Sequence, residues 1–85
     1  MIYSIRFISK AERGLRRLPP AIRDVVRAHI DSLAKNPRPP QSKPLVNSGG
    51  RWRLGVGEYR IIYFIRDDQL LILVVDLGHR KDIYR

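Results

Sequence analysis

Cysteine is absent from the 85 residues. Disulfide staples, thiolate nucleophiles and Cys-ligated zinc are therefore excluded. Long apolar runs are missing too. The longest, residues 70–75, falls far short of the roughly 18 residues of a membrane span. The opening MIYSIRFISK has no apolar h-region and no cleavage site, so no signal peptide is expected, and the default location is the cytoplasm. Acidic residues are few: eight Asp and Glu, scattered, with no two in a ligand-like arrangement. No metal site and no cofactor are expected. A glycine-rich phosphate loop is also lacking, because Gly49-Gly50 precedes a strand pattern rather than a helix. Repeats and low-complexity tails do not occur, and residues 1–85 read as one domain.

What the sequence has in excess is positive charge. Seventeen Lys and Arg against eight acids give +9. Such an excess repels itself and attracts polyanions. Nucleic acid is the leading candidate partner, and an acidic protein surface the next. Solubility alone asks for much less charge in a small domain.

Apolar periodicity gives the elements. Tyr3, Ile5 and Phe7 alternate with Ser4 and Arg6, which predicts a strand over 3–8. Ser9 and Glu12 have the spacing of a capping box. Ala11, Leu15 and Leu18 follow at helical spacing until Pro19 and Pro20 stop the helix. A second helix is predicted over about 20–35, beginning at Pro20. Ile22, Val25, Val26, His29, Ile30 and Leu33 form its apolar face, and Arg23, Arg27 and Asp31 its solvated face. His29 reads as a packed or capping residue. The proline-rich stretch 37–50 reads as a loop, long enough to hint at function. Strands are predicted over 51–56, 59–66 and 69–77, joined by turns at Gly57-Glu58 and Asp67-Asp68, with Gly78 ending the last. That last strand is nearly all apolar and is expected to be central and buried on both faces. The order β-α-α-β-β-β argues an α+β fold: an antiparallel-rich four-stranded sheet with an N-terminal helical hairpin on one side.

The predicted hairpin puts chemistry on one face. A two-residue Gly57-Glu58 turn, with Gly first as type II′ prefers, pairs Val56 with Tyr59. Alternation then projects Arg51, Arg53 and Arg60 from one face, beside Ile62 and Phe64. Trp52, Leu54, Val56, Tyr59, Ile61 and Tyr63 project from the other. Gly55, opposite Arg60, leaves its side chain room to lean over the sheet. A one-residue slip would break this alignment. Three like charges on one face call for a counter-anion, and arginine binds phosphate bidentately. His79 and Arg80 leave the last strand where the chain could return toward this face, followed by Tyr84. The combination suggests RNA cleavage. The 2′-hydroxyl would attack the adjacent phosphate while arginines hold the developing charge. Tyr84 could stack on a base, and His79 could move a proton near neutral pH.

Three segments carry a family resemblance: Gly50-Arg51-Trp52-Arg53-Leu54, Gly57-Glu58-Tyr59-Arg60-Ile61-Ile62-Tyr63, and Gly78-His79-Arg80-Lys81-Asp82-Ile83-Tyr84. In this order and length, with Leu15, Leu18 and Pro19 in the helical hairpin, the chain resembles the RelE/ParE superfamily of toxins from toxin–antitoxin pairs. The resemblance implies a microbial-RNase-like fold. For the RelE-like mRNA interferase branch it implies metal-independent, ribosome-dependent cleavage of mRNA, which inhibits translation. It carries the family's functional residues onto Arg51, Arg53, Arg60, Arg80 and Tyr84, with Lys81 beside them as an RNA-binding candidate. It also implies a cognate antitoxin as partner, mRNA on the ribosome as substrate, and operator DNA contacted only through the antitoxin. One departure stands out. The best-studied RelE branch has lysines where this chain has Arg51 and Arg53. Arginine side chains keep their protons at ordinary pH, so proton transfer would fall to His79, Tyr84 or water. The rival expectation is the ParE branch, which poisons DNA gyrase and lacks this residue set.

Overall fold

The computed structural model describes residues 2–83. Alternation builds β1 (Ser4–Phe7), and the chain then turns into α1 (Ser9–Arg17). The expected capping box does not form: Ile8 is the N-cap, and no side chain caps the helix. The Ile8 N–H donates to Val74 O at 3.0 Å. That tie ends the strand pairing at Ile8 and starts the helix one residue too early for a Ser9 cap. Leu18 leaves the helical conformation ahead of Pro19, as the proline requires. Helix α2 (Pro20–Ser32) opens on Pro20 at its first turn. Arg23 is a correction to the solvated face. Its guanidinium donates to Arg16 O at 3.1 Å and Leu18 O at 3.0 Å, so it caps the carbonyl end of α1 and closes the helical hairpin.

The sheet has five strands, not four. β2 (Ser42–Pro44) lies within the stretch read as a loop and pairs antiparallel with β3 (Trp52–Val56). Three residues ending in proline carry no periodic signal, and an edge is where a sheet tolerates proline. The order is β1-β5-β4-β3-β2, with β4 at Tyr59–Arg66 and β5 at Leu71–His79. Only β1–β5 is parallel. β5 is an interior strand, second from the β1 edge with β4 at the centre; it runs through Gly78 to His79 and is not buried on both faces. Ile62 pairs with Asp76 and Tyr63 with Val74, so Val75 is an extra, bulged residue. The inward residues are accordingly Ile72, Val74 and Leu77, spaced by two and then by three. A short helix, α3 (Arg80–Ile83), follows.

The core lies between the helical hairpin and one sheet face. Ala11, Leu15, Leu18, Val26, Ile30 and Leu33 meet Leu54, Ile61, Tyr63, Ile72, Val74 and Leu77. The Tyr63 hydroxyl donates to Pro37 O at 2.8 Å. A second tie holds the proline-rich segment. Arg38 Nη2 binds Asp67 Oδ2 at 2.9 Å, and the Tyr3 hydroxyl donates to Asp67 Oδ1 at 2.6 Å. These bonds, from Arg38 first and Tyr3 second, hold the Asp67 carboxyl below its ordinary range. A depressed carboxyl contributes stability above its unfolded value of about 3.9 and loses it as pH falls through the folded value. Asp67→Asn is therefore expected to cost a little thermal stability at neutral pH and to flatten the acid limb. Melting curves from neutral pH down to about pH 2 check this, and an unchanged acid limb would contradict it.

Candidate active site

The β3–β4 hairpin has the register the sequence predicts. Val56 pairs with Tyr59, Gly55 with Arg60, Arg53 with Ile62 and Trp52 with Tyr63. Gly57 sits at φ +58°, as the first position of a type II′ turn requires, while Glu58 stays outside the left-handed region. Arg53 and Arg60 therefore project from the face that the helical hairpin leaves open. Arg51 precedes β3, and its guanidinium carbon lies 5.9 Å from the Phe64 ring centroid, on the same face.

Arg60 is held in place by the backbone. Its Nη1 donates to Gly57 O at 2.7 Å and to Tyr59 O at 2.8 Å. The side chain leans over Gly55, where an added Cβ would lie 3.5 Å from Nη1. Arg80 is tied to the same turn. Its backbone N–H donates to Glu58 O at 2.8 Å, and its Nε binds Glu58 Oε2 at 2.6 Å. Glu58 thus engages the inner nitrogen of Arg80 and leaves the fork of terminal amino groups for an anion. The two arginines converge on one hairpin tip, though they stand far apart in sequence.

His79 lies elsewhere. It pairs with Tyr59, so its ring is on the helix face, edge-on to Tyr59 at 5.5 Å between centroids. Its Nδ1 accepts from the Lys81 backbone N–H at 3.2 Å. The expectation that His79 returns to the arginine face is therefore corrected. Lys81 is exposed on α3, and Tyr84 lies outside the described residues. His29 bonds the Val25 carbonyl through Nδ1 at 2.9 Å, as a packed helix residue does.

The open face is more basic than the sequence showed. Lys43 joins it opposite Arg53, through the unforeseen β2. Arg6 joins it opposite Leu73, through the parallel β1–β5 pairing, and Arg66 follows Phe64 by two on β4. Beside Arg51 lies a cleft of about 340 Å³, lined by Ile62, Val75, Asp76, Lys10 and Ile83 among others. Asp76 is the one acid in any strand of the described residues. Lys10 neutralises it at 3.1 Å, so the face remains strongly cationic. Among the described residues no three His, Cys, Asp or Glu side chains gather as metal ligands would. The arrangement can seat phosphates and stabilise charge that develops on a phosphoryl group.

This fold and this face define a toxin class. Residues 5–84 match the family of ParE toxins of type II toxin–antitoxin systems, and the chain belongs to that family as a toxin component. Toxin RelG of Mycobacterium tuberculosis is similar at 36% identity, covering 100% of this chain and 99% of that protein. The toxin–antitoxin complex RelBE2 of the same organism holds a chain similar at TM-score 0.83 and 30% identity, covering 94% of this chain and 100% of that one. The archaeal RelE–RelB complex of Pyrococcus horikoshii gives TM-score 0.81 at 25% identity, covering 94% and 97%. No helix among the described residues is long and apolar enough to cross a membrane.

Proposed function

We propose that this toxin is an endoribonuclease that cuts mRNA on the ribosome and so blocks translation in the cytoplasm. The observation that carries the reading is the anchoring of both Arg60 and Arg80 on the Gly57–Glu58 turn, at the tip of the hairpin whose open face carries Arg51, Arg53 and Arg60. In the proposed reaction the 2′-hydroxyl oxygen attacks the adjacent phosphorus and the bond to the 5′-oxygen breaks. The products are a 2′,3′-cyclic phosphate (or 3′-phosphate) and a 5′-hydroxyl. Negative charge grows on the phosphoryl oxygens, and preorganised guanidinium groups stabilise it without a metal. The proton leaving the 2′-hydroxyl is assigned to the phenolate form of Tyr84, which ends as the phenol, and the proton reaching the 5′-oxygen comes from water, because His79 faces the helices. Lys43 and Lys81 add charge for the RNA backbone.

A cognate antitoxin is the proposed protein partner, as RelB is in the archaeal complex. An apolar groove of about 310 Å³ between α2 and the hairpin tip, lined by Ile22, Val25, Val26, Val56 and Tyr59, suits an amphipathic segment of it. Contact with operator DNA would run through that antitoxin. The rival reading is gyrase poisoning, which the ParE description of the matching family favours. Induction in cells separates the two. Cuts inside translated codons support the ribonuclease. DNA damage with intact mRNA supports the gyrase poison and rejects the ribonuclease.

A further inference from the structure

Phe64 takes no part in the chemistry above, yet cations gather on it. Its half-buried ring lies on the open sheet face, two residues along β4 from the cleft residue Ile62. The guanidinium carbons of Arg51 and Arg66 lie 5.9 and 5.6 Å from its centroid. Across the sheet, Leu73 pairs with Phe64 and Arg6 pairs with Leu73. At about 4.8 Å per strand interval, the row from Arg6 to Arg51 runs roughly 14 Å. Among the described residues, none of Arg6, Arg51 and Arg66 has an acidic partner. Two cations without an acidic partner over one aromatic ring, with a third two strands along the same row, repel one another, and packing does not call for them. An aromatic platform flanked by cations is the combination that holds single-stranded nucleic acid: the ring takes a base, and the cations follow the backbone.

We propose that this row is a second nucleotide-binding station for single-stranded RNA, outside the cleavage cleft. One base stacks on Phe64, and Arg6 and Arg66 take the neighbouring phosphates. The proposal rests on the ribonuclease reading for its substrate and adds where the strand runs beyond the bond that is cut. An acidic peptide could satisfy the cations but would leave the ring unused. The continuity of the row with the arginine cleft favours RNA.

The test uses the full chain and a fluorescent RNA octamer carrying 2′-O-methyl groups throughout, so that it binds without being cut. Anisotropy titrations compare wild type with Phe64→Leu, Phe64→Tyr and Arg66→Ala, each checked by thermal melting. Phe64→Leu should weaken binding about tenfold, the scale of losing one stacked base, while Phe64→Tyr stays within about twofold. Arg66→Ala should weaken binding and lower the salt slope by about 0.7, the share of one phosphate contact on a single strand. The station is overturned if folded Phe64→Leu binds like wild type. It is also overturned if Leu and Tyr variants lose equally, if wild type shows no binding at low salt, or if Phe64→Leu weakens only an acidic peptide. Failures of the two readings are distinguishable. If wild type cuts no mRNA but octamer binding depends on Phe64, the cleavage reading falls and the station stands. If wild type cuts and Phe64→Leu binds normally, the reverse holds.

Discussion

Arg60→Ala is expected to lower mRNA cleavage by about 10²- to 10³-fold while the protein keeps its fold. The Arg60 guanidinium is fixed before substrate arrives, by two backbone carbonyls of the hairpin tip. A fixed charge aimed at a developing oxyanion needs no reorganisation as the reaction proceeds, and that is where electrostatic stabilisation is largest. The side chain contributes little to the core, since it lies on the open face over Gly55. Arg60→Lys keeps the charge but loses the planar guanidinium, whose Nη1 alone holds both carbonyls and leaves other N–H groups for a phosphate, so it should recover only part of the activity. Cleavage of a reporter mRNA on translating ribosomes measures both variants. An Arg60→Ala protein that cuts at the wild-type rate would remove Arg60 from the mechanism.

Gly14→Ala is expected to destabilise the fold, by roughly 1–3 kcal/mol, against the usual direction for a helix. In an open helix interior the same change gains about 1 kcal/mol. Here α1 packs so closely on β5 that an added Cβ would stand 2.8 Å from the Leu77 carbonyl oxygen. The obstacle is backbone of an interior strand, which yields less easily than a side-chain end. Gly14→Val should cost more. Domains of this size hold about 5–15 kcal/mol in total, so urea midpoints will resolve the loss. A Gly14→Ala protein more stable than wild type would show that helix and strand sit farther apart.

Much of the site was legible in the sequence because it depends on one local turn. Gly57-Glu58 fixes the hairpin register, and the register alone puts Arg51, Arg53 and Arg60 together. What escaped was set by distant pairings. Lys43 and Arg6 reach the open face through β2 and through the parallel β1–β5 pairing. β2 is too short to leave a periodic signal, and the alternation of β1 does not say which strand it joins. His79 shows the point most directly. Without the extra residue at Val75, alternation from Ile72 and Val74 would turn residue 79 to the arginine face. The bulge reverses the parity after Val75, sending Leu77 and His79 to the helix side. The role of Glu58 was hidden in a different way. It served the turn in sequence, and only the fold brings Arg80 back to meet it.

The most direct test of the arginine face is to map mRNA 5′ ends in cells expressing the wild type beside Arg80→Ala. Cleavage by this face predicts cuts inside translated codons with wild type, and their loss, together with the loss of toxicity, in Arg80→Ala. Wild type and Arg80→Ala that leave the same 5′ ends, or none, would contradict it.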